Sequence, residues 1–280
     1  MSAVGSKVPS MVAALSPSRA SDFMQCPLLY RFRVLDKLPE SATPAMARGT
    51  LVHAVLERLF DLPARQRTRE AAGGLLPGQW ERMLTERPEL AELVDDSDPV
   101  RLQVWYDEAL RLIERWFTLE DPTRLEPAER ELYVETEVDG LTLRGYVDRL
   151  DVAPDGRMRV VDYKTGRAPG ESFEAKALFQ MKFYALVLWR LHGRVPTRLQ
   201  LVYLGNAEVV AYEPAEADLL AVERKLKALW LAIDRATTTG DFRPKPGRLC
   251  NWCQHQTLCP AFGGTPPALP DMAARPLDAG

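Results

Sequence analysis

Residues 145–166, which read GYVDRLDVAPDGRMRVVDYKTG, constrain this 280-residue chain more than any other stretch. Apolar residues lead into Asp148 and again into Asp162, and the Pro-Asp-Gly at residues 154–156 favours a turn between the two runs. Two strands joined by that turn would place Asp148 beside Asp162. Because successive side chains on a strand point to opposite faces, Asp162 and Lys164 project from the same face. The pattern therefore predicts two carboxylates and one ammonium group at the ends of paired strands.

Two carboxylates and a lysine in this arrangement suit the binding of a divalent cation. Hard cations such as Mg²⁺ bind oxygen ligands, usually one or two carboxylates together with water and substrate phosphate. A lysine beside them can orient a nucleophilic water or neutralise charge that develops on a phosphate. The alternative is an ordinary surface pair between Asp162 and Lys164, since Asp-x-Lys at a strand end is a common sequence.

The wider pattern, G-Y-V-D-R-x-D followed by V-V-D-Y-K-T-G, resembles the nuclease domain of the RecB family within the PD-(D/E)xK superfamily. The resemblance implies an α/β fold with a restriction-endonuclease-like αβββαβ core. It also implies metal-dependent hydrolysis of DNA, with an exonuclease role in repair, recombination or end processing. Asp148, Asp162 and the main-chain carbonyl of Tyr163 would then bind Mg²⁺ or Mn²⁺, and Lys164 would act beside them in catalysis.

A second motif lies on a helix predicted over residues 46–60, where apolar residues recur at helical spacing. The sequence Gly49-x-x-x-His53-x-x-x-Glu57 resembles a family motif whose histidine is a metal ligand, so the resemblance implies His53 as a further ligand. From the residues alone, a packed or solvated His53 is the better interpretation, and only the family motif favours a ligand. Glu57 is explained as well by a pair with a neighbouring arginine.

The strand pattern continues on the N-terminal side of the central stretch. Residues 132–138 and 141–152 predict a hairpin around Asp139-Gly140, which is a favoured two-residue turn. A third strand is predicted over about residues 157–163. Glu131, Glu135 and Glu137 lie on or beside the first strand. One of them could approach the metal, but a solvent-facing edge strand is the simpler explanation, and we expect them to face solvent.

A helix predicted over residues 172–192 carries Gln180 and Tyr184 four residues apart, and therefore on one face. This Q-x-x-x-Y spacing soon after D-Y-K-T-G resembles a family motif that contacts substrate, so both residues are implied to bind the DNA strand. Strands over residues 198–204 and 208–212 and a helix over residues 214–235 follow. The order of elements is the one expected of the αβββαβ core.

The predicted nuclease domain covers residues 16–262, and disordered tails are expected at residues 1–15 and 263–280. A helical insertion is expected over about residues 61–127, with breaks between helices at Gly73-Gly74 and at Pro77-Gly78. Within it, a long helix over residues 99–119 carries an aromatic stripe. Such a stripe at helical spacing indicates a buried core face.

The four cysteines bracket the nuclease motifs. Cys250, Cys253 and Cys259 form C-x2-C-x5-C, and Cys26 lies in a Cys-Pro-x-x-Tyr segment near the N-terminus. No signal peptide is recognisable, so a cytoplasmic location is expected, where metal ligands or free thiols are commoner than disulfides. Zinc sites with four cysteines usually bring two close pairs, whereas iron–sulfur sites accept uneven spacing. His255 is expected to be solvated.

Together with the N-terminal segment, the cysteine spacing resembles the 4Fe–4S arrangement of the AddB-type branch of the family. The resemblance implies an iron–sulfur clasp that joins the two ends of the domain. Zinc is the alternative metal, and free thiols or a disulfide are further alternatives.

Composition limits the classes of protein that the chain can represent. The net charge of −3 gives no global basic signature of nucleic-acid binding, and no apolar run of about 20 residues predicts a membrane span. The chain has no Walker A motif, so a helicase, if one takes part, would be a separate partner besides DNA. Two other hypotheses are a non-catalytic DNA-binding or scaffolding subunit and a zinc-stabilised interaction protein.

Overall fold

The computed structural model describes residues 14–94, 98–168 and 170–270, without the side chains of residues 171–176. The helices are α1 (Pro17–Gln25), α2 (Pro27–Tyr30), α3 (Pro44–Leu59), α4 (Arg69–Glu86), α5 (Ala91–Val94), α6 (Pro99–Leu119), α7 (Glu171–His192) and α8 (Glu216–Thr239). The strands are β1 (Glu129–Val138), β2 (Leu141–Val152), β3 (Met158–Lys164), β4 (Arg198–Tyr203) and β5 (Glu208–Tyr212). A π-helical turn covers Arg31–Leu35, and short 3₁₀ turns cover Ala64–Gln66, Pro88–Leu90, Pro122–Arg124, Arg248–Trp252, Gln256–Leu258 and Pro260–Phe262. No helix in these ranges is both long and apolar enough to cross a bilayer.

The strands form one mixed sheet in the order β1-β2-β3-β4-β5. Asp139 and Gly140 have φ angles of 51° and 78°, the left-handed conformation that a tight two-residue hairpin requires. β2 and β3 are antiparallel, with Arg149 opposite Val161. β3 and β4 are parallel, which requires a crossover, and α7 supplies it. The predicted order of helix, three strands, helix and strand is confirmed.

The chain divides into two compact units. The terminal unit consists of Met1–Glu40, Glu135–Gly145 and Leu220–Gly280, and the central unit consists of Ser41–Val134 and Tyr146–Leu219. In the central unit, α3, α4 and α6 share one apolar core with the sheet, to which β3 contributes Val161 and Tyr163. Because Asp162 lies between these two anchored residues, the core fixes the position of its backbone.

Helix α4 runs without interruption through Gly73-Gly74 and Pro77, so the breaks predicted there are wrong. A proline inside a helix costs about 3 kcal/mol. Leu76 and Trp80 on this helix are 3% and 2% exposed. Burying two such side chains stabilises the fold by a free energy at least as large as the cost of the proline. Tertiary packing therefore overrides the local preference.

Helix α6 matches the predicted helix over residues 99–119, and its aromatic stripe packs against the core, with Trp105 buried and Tyr106 and Phe117 partly buried. Asp98 caps the helix by accepting from the backbone N–H of Val100 at 2.9 Å. Trp105 and Trp116 are 6% and 0% exposed, and the Trp105 ring packs on Trp80 with centroids 4.5 Å apart. The helices expected within residues 61–127 are therefore part of the core of the central unit.

The terminal unit begins with an ordered segment. Leu15, which the sequence assigns to a tail, is fully buried, and its N–H donates to the Thr142 carbonyl at 2.9 Å. Residues 14 and 15 therefore do not belong to a disordered tail. In the C-terminal segment, the carbonyl of Pro267 accepts from the Arg31 guanidinium. Residues 1–13 and 271–280 lie outside the described residues, and disorder there stays a prediction.

Candidate active site and cysteine cluster

Asp162 and Lys164 lie at the end of β3 and form an ion pair, with Lys164 Nζ 2.6 Å from Asp162 Oδ2. Gln180 on α7 contacts both residues. Its amide nitrogen donates to Asp162 Oδ1 at 3.0 Å, and its oxygen accepts from Lys164 Nζ at 3.1 Å. The Gln180 amide also donates to the Tyr184 hydroxyl at 3.2 Å. The structure thus brings four of the predicted site residues into one network.

Asp148 lies across the hairpin from this network, because continuing the β2–β3 register one step beyond Arg149 places it opposite Asp162. Its Oδ2 accepts from the backbone N–H of Tyr163 at 2.7 Å and lies 3.4 Å from His53 Nδ1. Ligand atoms of His53, Glu131 and Asp148 all lie within 4.8 Å of one another, and no other such group of His, Cys, Asp or Glu occurs among the described residues.

Glu131 is the site residue that the sequence did not single out from the three glutamates on or beside the first strand. It was expected to face solvent with Glu135 and Glu137, and that expectation is wrong. Its φ of 45° departs from strand geometry, so the simple alternation of faces fails at this residue. A positive φ in a residue other than glycine costs on the order of 1–3 kcal/mol, and such residues are enriched at functional sites. No feature of the amino-acid sequence distinguishes Glu131 from the nearby Glu135 and Glu137.

The carboxylates of the site are crowded, and their pKa values show it. Burial, reinforced by Glu57 and Asp162, raises the pKa of Glu131 to about 7. Burial, followed by the charge of Asp162, raises the pKa of Asp148 well above its usual range. Burial also lowers the pKa of His53, so its imidazole is neutral at pH 7 and offers a lone pair. The site therefore favours an additional positive charge.

The donors fit a divalent cation. A single ion bound at about 2.1 Å spans at most about 4.2 Å between its ligand atoms, so the 4.8 Å group needs only a small inward movement. Oδ2 of Asp162 is buried and lies 2.6 Å from the Lys164 ammonium, so a cation bound beside it would share this oxygen with Lys164. Mg²⁺ and Mn²⁺ both favour oxygen ligands, and the affinity of a site for Mn²⁺ is the lowest of the first-row divalent transition ions, so the carboxylates would supply most of the binding.

A buried ionic network that the sequence did not predict supports these strands. Arg149 is 1% exposed, and its guanidinium lies 2.7 Å from the Glu120 carboxylate and donates to the Tyr163 hydroxyl at 2.5 Å. The Trp116 indole donates to the same Glu120 carboxylate at 2.7 Å. Arg149 follows Asp148 and Tyr163 follows Asp162 in the chain, so the network fixes the backbone beside both site carboxylates.

The four cysteines, all in the terminal unit, are unpaired and line one cavity of about 200 Å³. Backbone N–H groups donate to two of the sulfurs, from Lys245 to Cys26 at 3.4 Å and from Gly247 to Cys250 at 3.3 Å. No three of the four sulfurs lie within 4.8 Å of one another. The sulfurs of a tetrahedral zinc site, at about 2.3 Å from the metal, lie about 3.8 Å apart.

His255 lies beside this cavity but is buried, so the expectation that it is solvated is wrong. Its side chain is 4% exposed, and Nε2 lies 2.9 Å from a carboxylate oxygen of Glu40. The ring also packs edge-on against Phe32, with centroids 5.4 Å apart. His255 therefore has a structural explanation that does not involve a metal.

Sequence comparison places this arrangement in a known class. The profile of the PD-(D/E)XK nuclease superfamily matches residues 14–260, so the chain belongs to that superfamily of nucleases. The superfamily and the α/β fold predicted from residues 145–166 are thereby confirmed, and nucleases of this superfamily use divalent metals.

Individual relatives extend the comparison. The chain is 26% identical to the Gene 69 protein of Mycobacterium phage D29 over 267 residues, which cover 88% of this chain and 96% of that protein. It is 30% identical to the Gene 69 protein of Mycobacterium phage L5 over 135 residues, covering 47% and 44%. The crystal structure of a candidate exonuclease from Eubacterium rectale has a TM-score of 0.56 at 13% identity, covering 91% of this chain and 93% of that one. This last similarity supports the fold.

Proposed function

We propose that this protein is a metal-dependent deoxyribonuclease of the RecB family that hydrolyses phosphodiester bonds as an exonuclease. The observation that carries the proposal is the His53–Glu131–Asp148 group beside the Asp162–Lys164 pair. The structural neighbour from Eubacterium rectale is described as a candidate exonuclease, which supports the exonuclease mode. DNA repair, recombination or end processing is the proposed setting, and a separate helicase subunit stays a predicted partner.

In this mechanism His53, Asp148, Asp162 and the Tyr163 carbonyl hold Mg²⁺ or Mn²⁺, and we add Glu131 to this set. When bound, the ion polarises the phosphate and lowers the pKa of a water ligand. Lys164, 2.6 Å from Asp162, positions the nucleophilic water or stabilises the charge that develops on the phosphate.

Gln180 and Tyr184 take different roles in this proposal. Gln180 fixes the positions of the Asp162 and Lys164 side chains through its two hydrogen bonds. Its position at the site also lets it contact the DNA strand. Tyr184 is 6% exposed, and burial raises the pKa of its hydroxyl. We therefore assign Tyr184 to positioning Gln180 rather than to contacting DNA, which modifies the role implied by the family motif.

Digestion of end-labelled single-stranded and double-stranded DNA with Mg²⁺ or Mn²⁺ tests the function. We expect cleavage by the parent, and at least a hundredfold loss in Asp162→Ala and Lys164→Ala, because each removes a group that acts on the phosphate. Lys164 is partly exposed, so its truncation opens no core cavity, whereas Asp162 is 3% exposed, so Asp162→Asn, which keeps the side-chain volume, should show the same loss. Val152→Ala, an exposed change on β2, serves as the control. A parent that binds DNA but never cleaves it would favour the scaffolding subunit instead.

We further propose that Cys26, Cys250, Cys253 and Cys259 ligate a 4Fe–4S cluster that joins the two ends of the terminal unit. The shared cavity and the backbone N–H donors to two of the sulfurs support a metal cluster held by these four cysteines, and the uneven spacing of the cysteines in the sequence favours iron–sulfur over zinc. Backbone donors of this kind tune and stabilise cluster thiolates.

Metal analysis of protein purified without oxygen tests the cluster. We expect about four irons and four sulfides per chain and broad absorption near ~400 nm. A colourless protein with one zinc per chain would refute the iron–sulfur proposal and leave the nuclease proposal standing.

A further inference from the structure

Two tyrosines on neighbouring strands of the central unit form an exposed aromatic pair. The rings of Tyr133 on β1 and Tyr146 on β2 have centroids 5.2 Å apart and planes tilted by 56°. The two residues are 45% and 57% exposed. A cross-strand aromatic pair contributes only about 0.2–1 kcal/mol to a sheet, and that contribution does not require both rings to face water.

The position of this pair relates it to the candidate metal ligands. Tyr146 lies two residues before Asp148 on β2, and residues two apart on a strand share a face. Tyr133 lies two residues after Glu131 on β1, and the Glu131 carboxylate itself reaches Asp148. At about 3.4 Å per strand residue, Tyr146 is displaced from Asp148 by about 7 Å along the strand. That distance corresponds to roughly two stacked nucleotide steps.

We propose that Tyr133 and Tyr146 form a stacking platform for unpaired bases of the DNA strand next to the scissile phosphate. The inference rests on the proposed nuclease function and specifies its substrate class as single-stranded DNA or an opened DNA end. Aromatic side chains bind single strands because every base has a π face, whatever the sequence. A duplex hides those faces within its own stack, so paired DNA cannot use the platform.

The ring geometry defines how a base would bind. Stacked bases lie about 3.4 Å apart, so a base held between two rings would need a separation of roughly 7 Å. The 5.2 Å between the Tyr133 and Tyr146 centroids is too short for such a slot. The bases therefore stack on the solvent-facing sides of the two rings, and each ring contributes separately.

Equilibrium binding of a fluorescent oligothymidylate to full-length protein, measured by anisotropy, tests the platform. All proteins carry Lys164→Ala, so that cleavage does not interfere. We expect Tyr146→Ala and Tyr133→Ala each to weaken binding by roughly 5- to 150-fold, from about 1–3 kcal/mol per stacked base. Tyr146→Phe should bind like the parent because it keeps the ring. Val152→Ala, exposed on the same strand, should also bind like the parent.

Two further ligands separate stacking from a general loss of fold or charge. An abasic oligonucleotide of equal length and charge should bind the parent and Tyr146→Ala equally, and a blunt duplex should show no difference either. Equal binding of oligothymidylate by parent and Tyr146→Ala would overturn the platform, as would an equal loss on the abasic ligand. If the alanine variants do not fold, Tyr146→Leu replaces them, since leucine keeps an apolar side chain without a π face.

The outcomes for the platform and for catalysis are distinguishable. The nuclease proposal fails if the parent, with Lys164 intact, does not cleave any DNA, whatever the binding data show. The platform proposal fails if the affinity for single-stranded DNA does not depend on the two rings, whatever the cleavage data show.

Discussion

Replacing Arg149 with methionine should destabilise the central unit, because methionine keeps the apolar stem of the side chain but removes the guanidinium. Arg149 and Glu120 side chains are 1% and 6% exposed, so solvent cannot replace the lost partner. Removing one member of a buried ion pair typically costs about 3–5 kcal/mol.

The structure places the expected cost at the low end of that range, at about 3 kcal/mol. Glu120 keeps two donors, the Trp116 indole at 2.7 Å and the Gln200 amide at 3.3 Å. Asp151, the other carboxylate beside Arg149, keeps its ion pair with Arg159 at 2.7 Å. These contacts limit the penalty of leaving two carboxylates without the guanidinium.

The cost should also depend on pH. In the parent, burial acts to raise the pKa of Glu120, but Arg149 outweighs it and holds the pKa below its usual value. That lowered pKa stabilises the fold above the unfolded-state pKa of Glu120, and the contribution is lost as pH falls through the folded-state pKa. Without Arg149, burial raises the pKa of Glu120. In acid Glu120 is then protonated, and the variant no longer pays the cost of a buried, unpaired carboxylate. The difference between parent and variant is therefore larger at about pH 8 than at about pH 5.

Urea denaturation followed by tryptophan fluorescence measures this difference at both pH values. Arg157→Met is the matched control, because that guanidinium is 66% exposed and pairs with an exposed Asp155. Exposed pairs contribute about 0–1 kcal/mol. A loss of free energy of unfolding no larger than the control's, or one that is the same at both pH values, would refute the argument.

Three further predictions concern the metal sites. Ionising Glu131 costs folded-state stability as pH rises through its pKa of about 7, so Glu131→Gln should raise the melting temperature of metal-free protein at about pH 8 and not at about pH 4. Calorimetry should also show weaker Mn²⁺ binding by this variant. Unchanged Mn²⁺ binding would remove Glu131 from the ligand set. His53→Ala should weaken metal binding and activity, with partial rescue by excess Mn²⁺, whereas an unchanged metal titration would mean that His53 only packs. Cys26→Ser should abolish absorption near ~400 nm and lower the melting temperature, because metal ligation that exists only in the folded state adds its binding free energy to stability. A variant as stable as the parent would contradict the clasp.

The parts of the fold that local chemistry determines could be predicted from the sequence. The Asp139-Gly140 turn needs two left-handed residues, and the sequence supplies the pair that tolerates them most readily. The alternation through β3 placed Asp162 and Lys164 together, and their ion pair is observed. The core of the central unit was indicated by the aromatic stripe of α6.

The parts that depend on distant contacts could not be predicted. Pro77 signals a break, and only the burial of Leu76 and Trp80 against other helices keeps α4 continuous. Glu131 reaches the site through a positive φ that no glutamate favours by itself, so a surrounding structure must impose it. Arg149 gave no indication of burial, because its partner Glu120 lies in a different part of the chain.

The terminal unit is assembled from both ends of the chain, and this affects the order in which it can fold during synthesis. Helices α1 and α2, which carry buried apolar side chains, come from the first 40 residues, but the unit is completed only by residues after 219. At about 5–20 residues per second, a ribosome needs roughly 10–40 s to add the residues between them. During that interval Phe23, Leu28 and Tyr30 lack their C-terminal neighbours and are exposed to chaperones. The central unit, and with it every proposed metal ligand of the nuclease site, can fold before Cys250, Cys253 and Cys259 are translated.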